Sequence, residues 1–168
     1  MYGIQVAMSL YIDAPFMLLC GASNLAAVAT DGPSLAVDTG PGSSTRDKKY
    51  LWKFVPLFNE ESVFKGFGIR SQLNGKYICC HSGMPNGGGV SLVDESQIDE
   101  WAGWNLGTPV PGRMPRYLPF LSSQAGSSPI CVMTLFGGGG WGPGTQIITY
   151  QWGSGDNQPW WPAFQPNI

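Results

Sequence analysis

What is scarce in this sequence narrows its function first. Only 12% of the 168 residues are charged, with a net charge of −2 and a pI near 5.2. So little charge argues against a disordered, highly solvated chain. It also leaves no basic surface for a phosphate backbone, so no nucleic-acid partner is expected. The one basic cluster, Lys48-Lys49 after Asp47, reads as a solvated turn. Histidine occurs once, as His81 behind Cys79 and Cys80. That trio has neither the number nor the spacing of a tetrahedral metal site, and a nucleophilic thiol would need an orienting partner. No cofactor or metal is expected, and His81 reads as a strand-end residue. No apolar run approaches the roughly 20 residues that cross a bilayer, so no membrane insertion is expected.

The opening stretch "MYGIQVAMSLYIDAPFMLLCGAS" lacks a positively charged start, and Asp13 and Pro15 interrupt it. It reads as mature structure and not as a signal peptide. A cytoplasmic location is the resulting expectation, with secretion by a non-conventional route left open. The four cysteines, Cys20, Cys79, Cys80 and Cys131, form no C-x-x-C pair and no regular framework. Buried free thiols are expected over disulfides.

What is abundant is punctuation: 24 Gly and 14 Pro. Windows with any helical character, "NEESVFKGF" and "ESQIDEWAGW", are short. Elsewhere apolar and polar residues alternate over a few positions, as in "GIQVAMSLYI", "GFGIRSQL", "GKYICC", "GGVSLV" and "GTQIITYQW", each bounded by turn formers. This pattern predicts many short antiparallel strands and an all-β class.

The strands recur with a period. Asp47 precedes Trp52, Asp99 precedes Trp104 and Asp156 precedes Trp161, five residues apart each time, with Trp160 as the alternative in the last case. Ahead of these motifs stand the strands "SLAVD", "SLVD" and "QIITY". Ahead of those stand the turns "TDGPS", "GMPNGGG" and "FGGGGWGPG", then the strands "NLAAVA", "GKYICC" and "SPICVM". An aromatic begins each unit: Phe16, Phe67, and Tyr117 or Phe120. Three units of about 50 residues predict one pseudo-threefold domain over residues 1–168, with repeats near 1–57, 58–112 and 113–168. A propeller usually needs at least four blades. The repeated tryptophans are expected as core plugs. Of the two adjacent tryptophans, the one not in the core should face the opposite way. The repeated acids are expected to bind turn N–H groups two residues on.

The segment "GKYICCHSGMPNGGGVSLVDESQIDEWAGW" resembles one repeat of a ricin-B-type β-trefoil lectin, in which G-K-C-L-D-V leads through a hairpin to V-x-L and Q-x-W. Gly75, Lys76, Ile78, Gly89, Val90, Leu92 and Trp104 follow that order, and Gln158-Pro159-Trp160 matches Q-x-W literally. The resemblance implies a β-trefoil that binds carbohydrate without catalysis. Its sugar-binding acid is missing: the matching places hold Cys79, Cys131 and a residue near Ala27. Tyr50 and Ala102 replace the Gln of Q-x-W in the first two repeats. Fold does not fix function, so a protein-binding trefoil such as a protease inhibitor is the alternative. A glycan-degrading enzyme would need two carboxylates in a cleft. Monomer and homodimer are both left open.

Within the third unit, "FGGGGWGPG" is the most unusual stretch. It is no P-loop, because no Lys-Ser/Thr follows the glycines. Among the three hairpins it alone carries an aromatic, Trp141, and glycines such as Gly140 let backbone and ligand approach closely. The expected ligand site therefore comprises Trp141 as a stacking platform, Gly140, and Asp156, Asn157 and Gln158 as hydroxyl partners, with glycans or glycoconjugates as the partner. Two alternatives stand beside this. Trp141 folds back as a lid on the core, or Asn157 and Gln158 anchor the hairpin. As a surface platform, Trp141 would contribute less than about 1 kcal/mol to stability.

Overall fold

The structure, a computed structural model, describes residues 14–42, 45–80, 87–109, 117–124 and 130–165. The early strand "GIQVAMSLYI" and His81 lie outside the described residues. Twelve strands fall into three sets of four. The first set is β1 (Phe16–Cys20), β2 (Ala26–Ala29), β3 (Leu35–Asp38) and β4 (Trp52–Phe58). The second is β5 (Phe64–Ser71), β6 (Tyr77–Cys80), β7 (Val90–Val93) and β8 (Trp104–Leu106). The third is β9 (Leu118–Ser122), β10 (Cys131–Leu135), β11 (Ile147–Gln151) and β12 (Pro159–Phe164). Neither short helical window becomes an α-helix. Residues 59–67 turn into β5, and 95–104 form two 3-10 turns, Glu95–Gln97 and Glu100–Ala102.

Pairing closes a six-stranded antiparallel barrel in the order β1, β4, β5, β8, β9, β12 and back to β1. The hairpins β2–β3, β6–β7 and β10–β11 cap it, each joined to the first strand of its own set. The caps also bridge one another, at Ser34–Ser91, Ala36–Gln146 and Gly89–Ile148. This is a β-trefoil. Closure removes the free edges of the six barrel strands.

The tryptophans set the register. Trp52, Trp104 and Trp160 are each at most 1% exposed. Each indole N–H donates to a carbonyl in the second strand of its own set: Ala27 at 3.2 Å, Ile78 at 2.9 Å and Met133 at 2.9 Å. Each pairs on one side with the first strand of its set, at Phe16, Phe67 and Leu118. On the other side each pairs with the next set, at Ser71, Ser122 and Cys20.

Two sequence expectations shift by a residue or two. The third plug is Trp160, four residues after Asp156, and not Trp161. The position of Phe16 and Phe67 is taken in the third set by Leu118, and not by Tyr117 or Phe120. Trp161 does face the opposite way, edge-on to the Tyr117 ring, within a smaller cluster built on Met17, Leu19, Ala26, Tyr50 and Leu51. Inside the barrel, Phe16 stacks on Phe54 at 4.3 Å and Phe54 on Phe120 at 6.1 Å.

Removing one plug leaves a cavity and an orphaned carbonyl. Trp104→Ala and Trp160→Ala should each cost about 3–5 kcal/mol in chemical denaturation, while Trp161→Ala should cost clearly less. Equal losses at Trp160 and Trp161 would reject this register.

Candidate functional site

The connections after the third strand of each set differ in length: residues 39–51, 94–103 and 152–158. The two longer ones fold into 3-10 turns. Asp47 and Asp99 cap them, accepting from Lys49 N at 3.1 Å and Trp101 N at 2.9 Å, as expected for structural acids. The seven-residue third connection contains no 3-10 turn, so Asp156 caps none and stands exposed at a tight turn. The structural role expected of the acids is seen at Asp47 and Asp99.

Gln158 stands where Tyr50 and Ala102 stand before the other plugs. It is 3% exposed and fully engaged. Its Oε1 accepts from Gly153 N at 2.8 Å and Gly155 N at 3.2 Å. Its Nε2 donates to Gln151 O at 2.7 Å and Thr134 Oγ1 at 3.4 Å. A buried amide with both ends satisfied has no capacity left for a ligand, so Gln158 is an anchor and drops out of the candidate site.

Asn157 is partly exposed and faces the other way. Its Nδ2 donates to Leu135 O at 2.7 Å and Gly137 O at 3.3 Å, and Leu135 N donates back to Asn157 O at 2.9 Å. Its Oδ1 lies over Gly155, where a Cβ would stand only 2.8 Å away. The Gly137 carbonyl also accepts the Trp141 indole N–H, at 3.2 Å. Two of the expected site residues, Trp141 and Asn157, thus converge on one backbone oxygen at the root of the glycine loop.

That loop, residues 136–146, is the longest of the three hairpin connections. Gly137 and Gly140 take φ of +95° and +70°, which side chains disfavour, and a Cβ at either would meet only open space. The glycines are needed for backbone shape here, and the shape is held at both ends. Gly144 N donates to Val37 O at 2.7 Å, and Val37 N donates to Thr145 O at 3.1 Å. Trp141 itself is partly buried and packs against the main core. Part of its area therefore contributes to stability, which raises the expected loss on truncation above the surface scale. Phe136, 58% exposed at the start of the loop, is an aromatic that sequence reasoning passed over; its place directly before the glycines was the available signal.

From Tyr117 to Ile168 the only charged residue is Asp156. The segment that carries Trp141 and Asn157 is therefore nearly free of charge. The arrangement supplies an indole ring and one amide oxygen, which can stack on C–H groups and accept hydrogen bonds from hydroxyls.

The thiols offer no comparable chemistry. All four are unbridged and buried. Burial, and then the Asp99 carboxylate 3.6 Å from its sulfur, push the Cys79 thiol up to about 12. Burial also raises Cys80, opposed by its contact with Ser122, and it raises Cys131. The tryptophan hydrogen bonds align Ala27, Ile78 and Met133, so the place of the lectin repeat's acid falls on Val28, Cys79 and Thr134. This moves two of the three expected positions, and none of them carries a carboxylate.

No protein-family model and no curated protein sequence matches the chain. Solved structures do. A designed threefold-symmetric protein, ThreeFoil, superposes with a TM-score of 0.67 at 19% identity, covering 88% of this chain and 96% of the other. The Macrolepiota procera ricin B-like lectin, solved in complex with lactose, superposes with a TM-score of 0.67 at 14% identity, covering 91% and 95%. The BEL β-trefoil superposes with a TM-score of 0.63 at 16% identity, covering 91% and 92%. The fold is a ricin-B-like β-trefoil.

Gln158→Ala would leave two amide N–H groups and a carbonyl without their partner, and should cost about 2–3 kcal/mol in denaturant unfolding. A loss below about 0.5 kcal/mol would show that the connection does not depend on it. For Cys79, a folded thiol that resists ionisation keeps its stability contribution below the ordinary value of 9.0 and loses it as pH rises toward about 12. Unfolding measured from pH 8 upward should show that decline. Native protein at pH 8 should also release little colour with a disulfide thiol reagent until denaturant is added.

Proposed function

We propose that the protein binds carbohydrate without catalysis, seating an uncharged saccharide against the 136–146 loop. The observation that carries this reading is the convergence of Trp141 and Asn157 on the Gly137 carbonyl, in a stretch whose single charge is Asp156. A pyranose has an apolar C–H face and a rim of hydroxyls. The indole face takes the first, and the Asp156 carboxylate and Asn157 Oδ1 accept from the second. A Cβ at Gly140 would meet only open space. Holding the loop at Val37 and at Asn157 before the ligand arrives lowers the ordering cost of binding. The likeness of the fold to a lectin solved with lactose supports the ligand class, and the site itself is argued from this chain alone.

A panel of immobilised neutral glycans tests the reading, beside a protease panel for the inhibitor alternative. The parent should bind at least one glycan and inhibit no protease. Trp141→Ala should weaken binding by about 2 kcal/mol or more, Trp141→Phe should retain part of it, and Asn157→Ala should fall between. Because Trp141 rests on the core, binding is read well below each variant's melting temperature. A folded Trp141→Ala protein that binds like the parent would move the site elsewhere. Protease inhibition without glycan binding would replace the reading.

A further inference from the structure

The outer face of the barrel differs between the three sets in a way that the glycan site does not use. Three strand pairs are equivalent there: Leu19 with Ala26, Arg70 with Tyr77, and Leu121 with Val132. In the first set, Tyr50 and Leu51 from the 39–51 connection cover the pair, and Leu19 and Ala26 are at most 6% exposed. In the second set the pair covers itself, with the Arg70 guanidinium 5.9 Å from the centre of the Tyr77 ring. In the third set the connection is six residues shorter than in the first. The residue in the Tyr50 position, Gln158, turns inward to hold Gly153 and Gly155.

Among the described residues, the short connection leaves this pair only partly covered: Val132 is buried and Leu121 is partly exposed. An open cleft of about 320 Å³ lies there, walled by Pro109, Pro119, Leu121, Ile130, Val132 and Trp152. That volume is at the lower end of small-molecule sites. Trp152 is fixed opposite Ile130 by its backbone N–H to Ile130 O at 2.8 Å. Ile130 is 41% exposed at the mouth.

Polar groups reach the cleft at its edges. Thr108 and Ser154 bring hydroxyls, and none of the residues lining the cleft is charged. Ser154 holds φ at +60° between two glycines whose N–H groups both point inward to Gln158. A left-handed serine costs about 1–2 kcal/mol, so the turn holds Ser154 at the edge at some expense to stability. The cleft shares no residue with the site around Trp141.

We propose that this cleft is a second binding site, which takes an uncharged, mostly apolar small molecule of one or two rings. Trp152 stacks on a ring, Leu121 forms the floor, and the Thr108 or Ser154 hydroxyl bonds a single polar substituent. None of the described residues lining the cleft offers a counter-charge, so a carboxylate, phosphate or ammonium group would lose its hydration there without return.

The probe is N-phenyl-1-naphthylamine, a neutral dye whose emission rises in apolar surroundings, titrated against the full chain. Binding should saturate at one dye per chain. The related anionic dye 1-anilinonaphthalene-8-sulfonate should bind at least about tenfold more weakly. Ile130→Glu places a charge at the mouth and Thr108→Trp fills it, both at exposed positions that the fold tolerates. Each should weaken the neutral dye by about tenfold or more with the melting temperature unchanged, while Trp141→Ala binds it like the parent. Three results would overturn the site: no saturable binding by the parent, equal affinity for the two dyes, or parent-like affinity in both Ile130→Glu and Thr108→Trp.

Discussion

Three indole N–H groups hold this fold in register. A tryptophan buried at the barrel centre brings a large apolar area and one donor that cannot be left unpaired. Here the donor always finds a carbonyl in the second strand of its own set, at Ala27, Ile78 and Met133. The same residue pairs through its backbone with the set that follows. Each tryptophan thus ties a barrel strand to a cap hairpin and to the neighbouring unit. No single unit could bury its tryptophan alone, so the three units stand or fall together.

The period, the strands and the trefoil were legible because alternation and turn residues are local signals. "SLVD" and "QIITY" become strands almost where the pattern places them, with one- or two-residue differences at their ends. The offsets were not legible. Trp160 and Trp161 are both large and apolar, and only the barrel pairing decides which faces in. Leu118 stands where an aromatic was expected because position in the ladder, and not residue type, defines that place. For the proposed site, Trp141 was singled out by its unusual loop and Asn157 by the acid-amide motif after the next strand. The choice between anchor and ligand partner for Gln158 was not legible, because the feature that turns it inward is the brevity of the connection before it. Loop length acts through three-dimensional closure, which a motif match does not contain.

Most of what distinguishes the third unit follows from two lengths. Its hairpin loop is the longest and glycine-rich, which projects Phe136 and brings Trp141 back onto Gly137. Its final connection is the shortest, which removes the 3-10 turn and pulls Gln158 inward. Pseudo-symmetry supplies the frame, and departures from it provide surface that the other two units spend on covering themselves. The near absence of charge after Tyr117, broken only by Asp156, makes this the least charged part of the chain.

Barrel closure also has a consequence in time. β12 lies between β1 and β9, so the ring shuts only when Phe164 reaches Phe16. Drawing together points so far apart along the chain costs roughly 4 kcal/mol in loop entropy before any contact returns it. Folding dominated by such distant pairings runs on the slow side, in milliseconds to seconds. On the ribosome, β1 would wait with an open edge and an apolar face until nearly all the chain had emerged. The small cluster around Met17, Leu19, Tyr50 and Leu51 can shield most of that face early, because it is built largely from the first set's own residues.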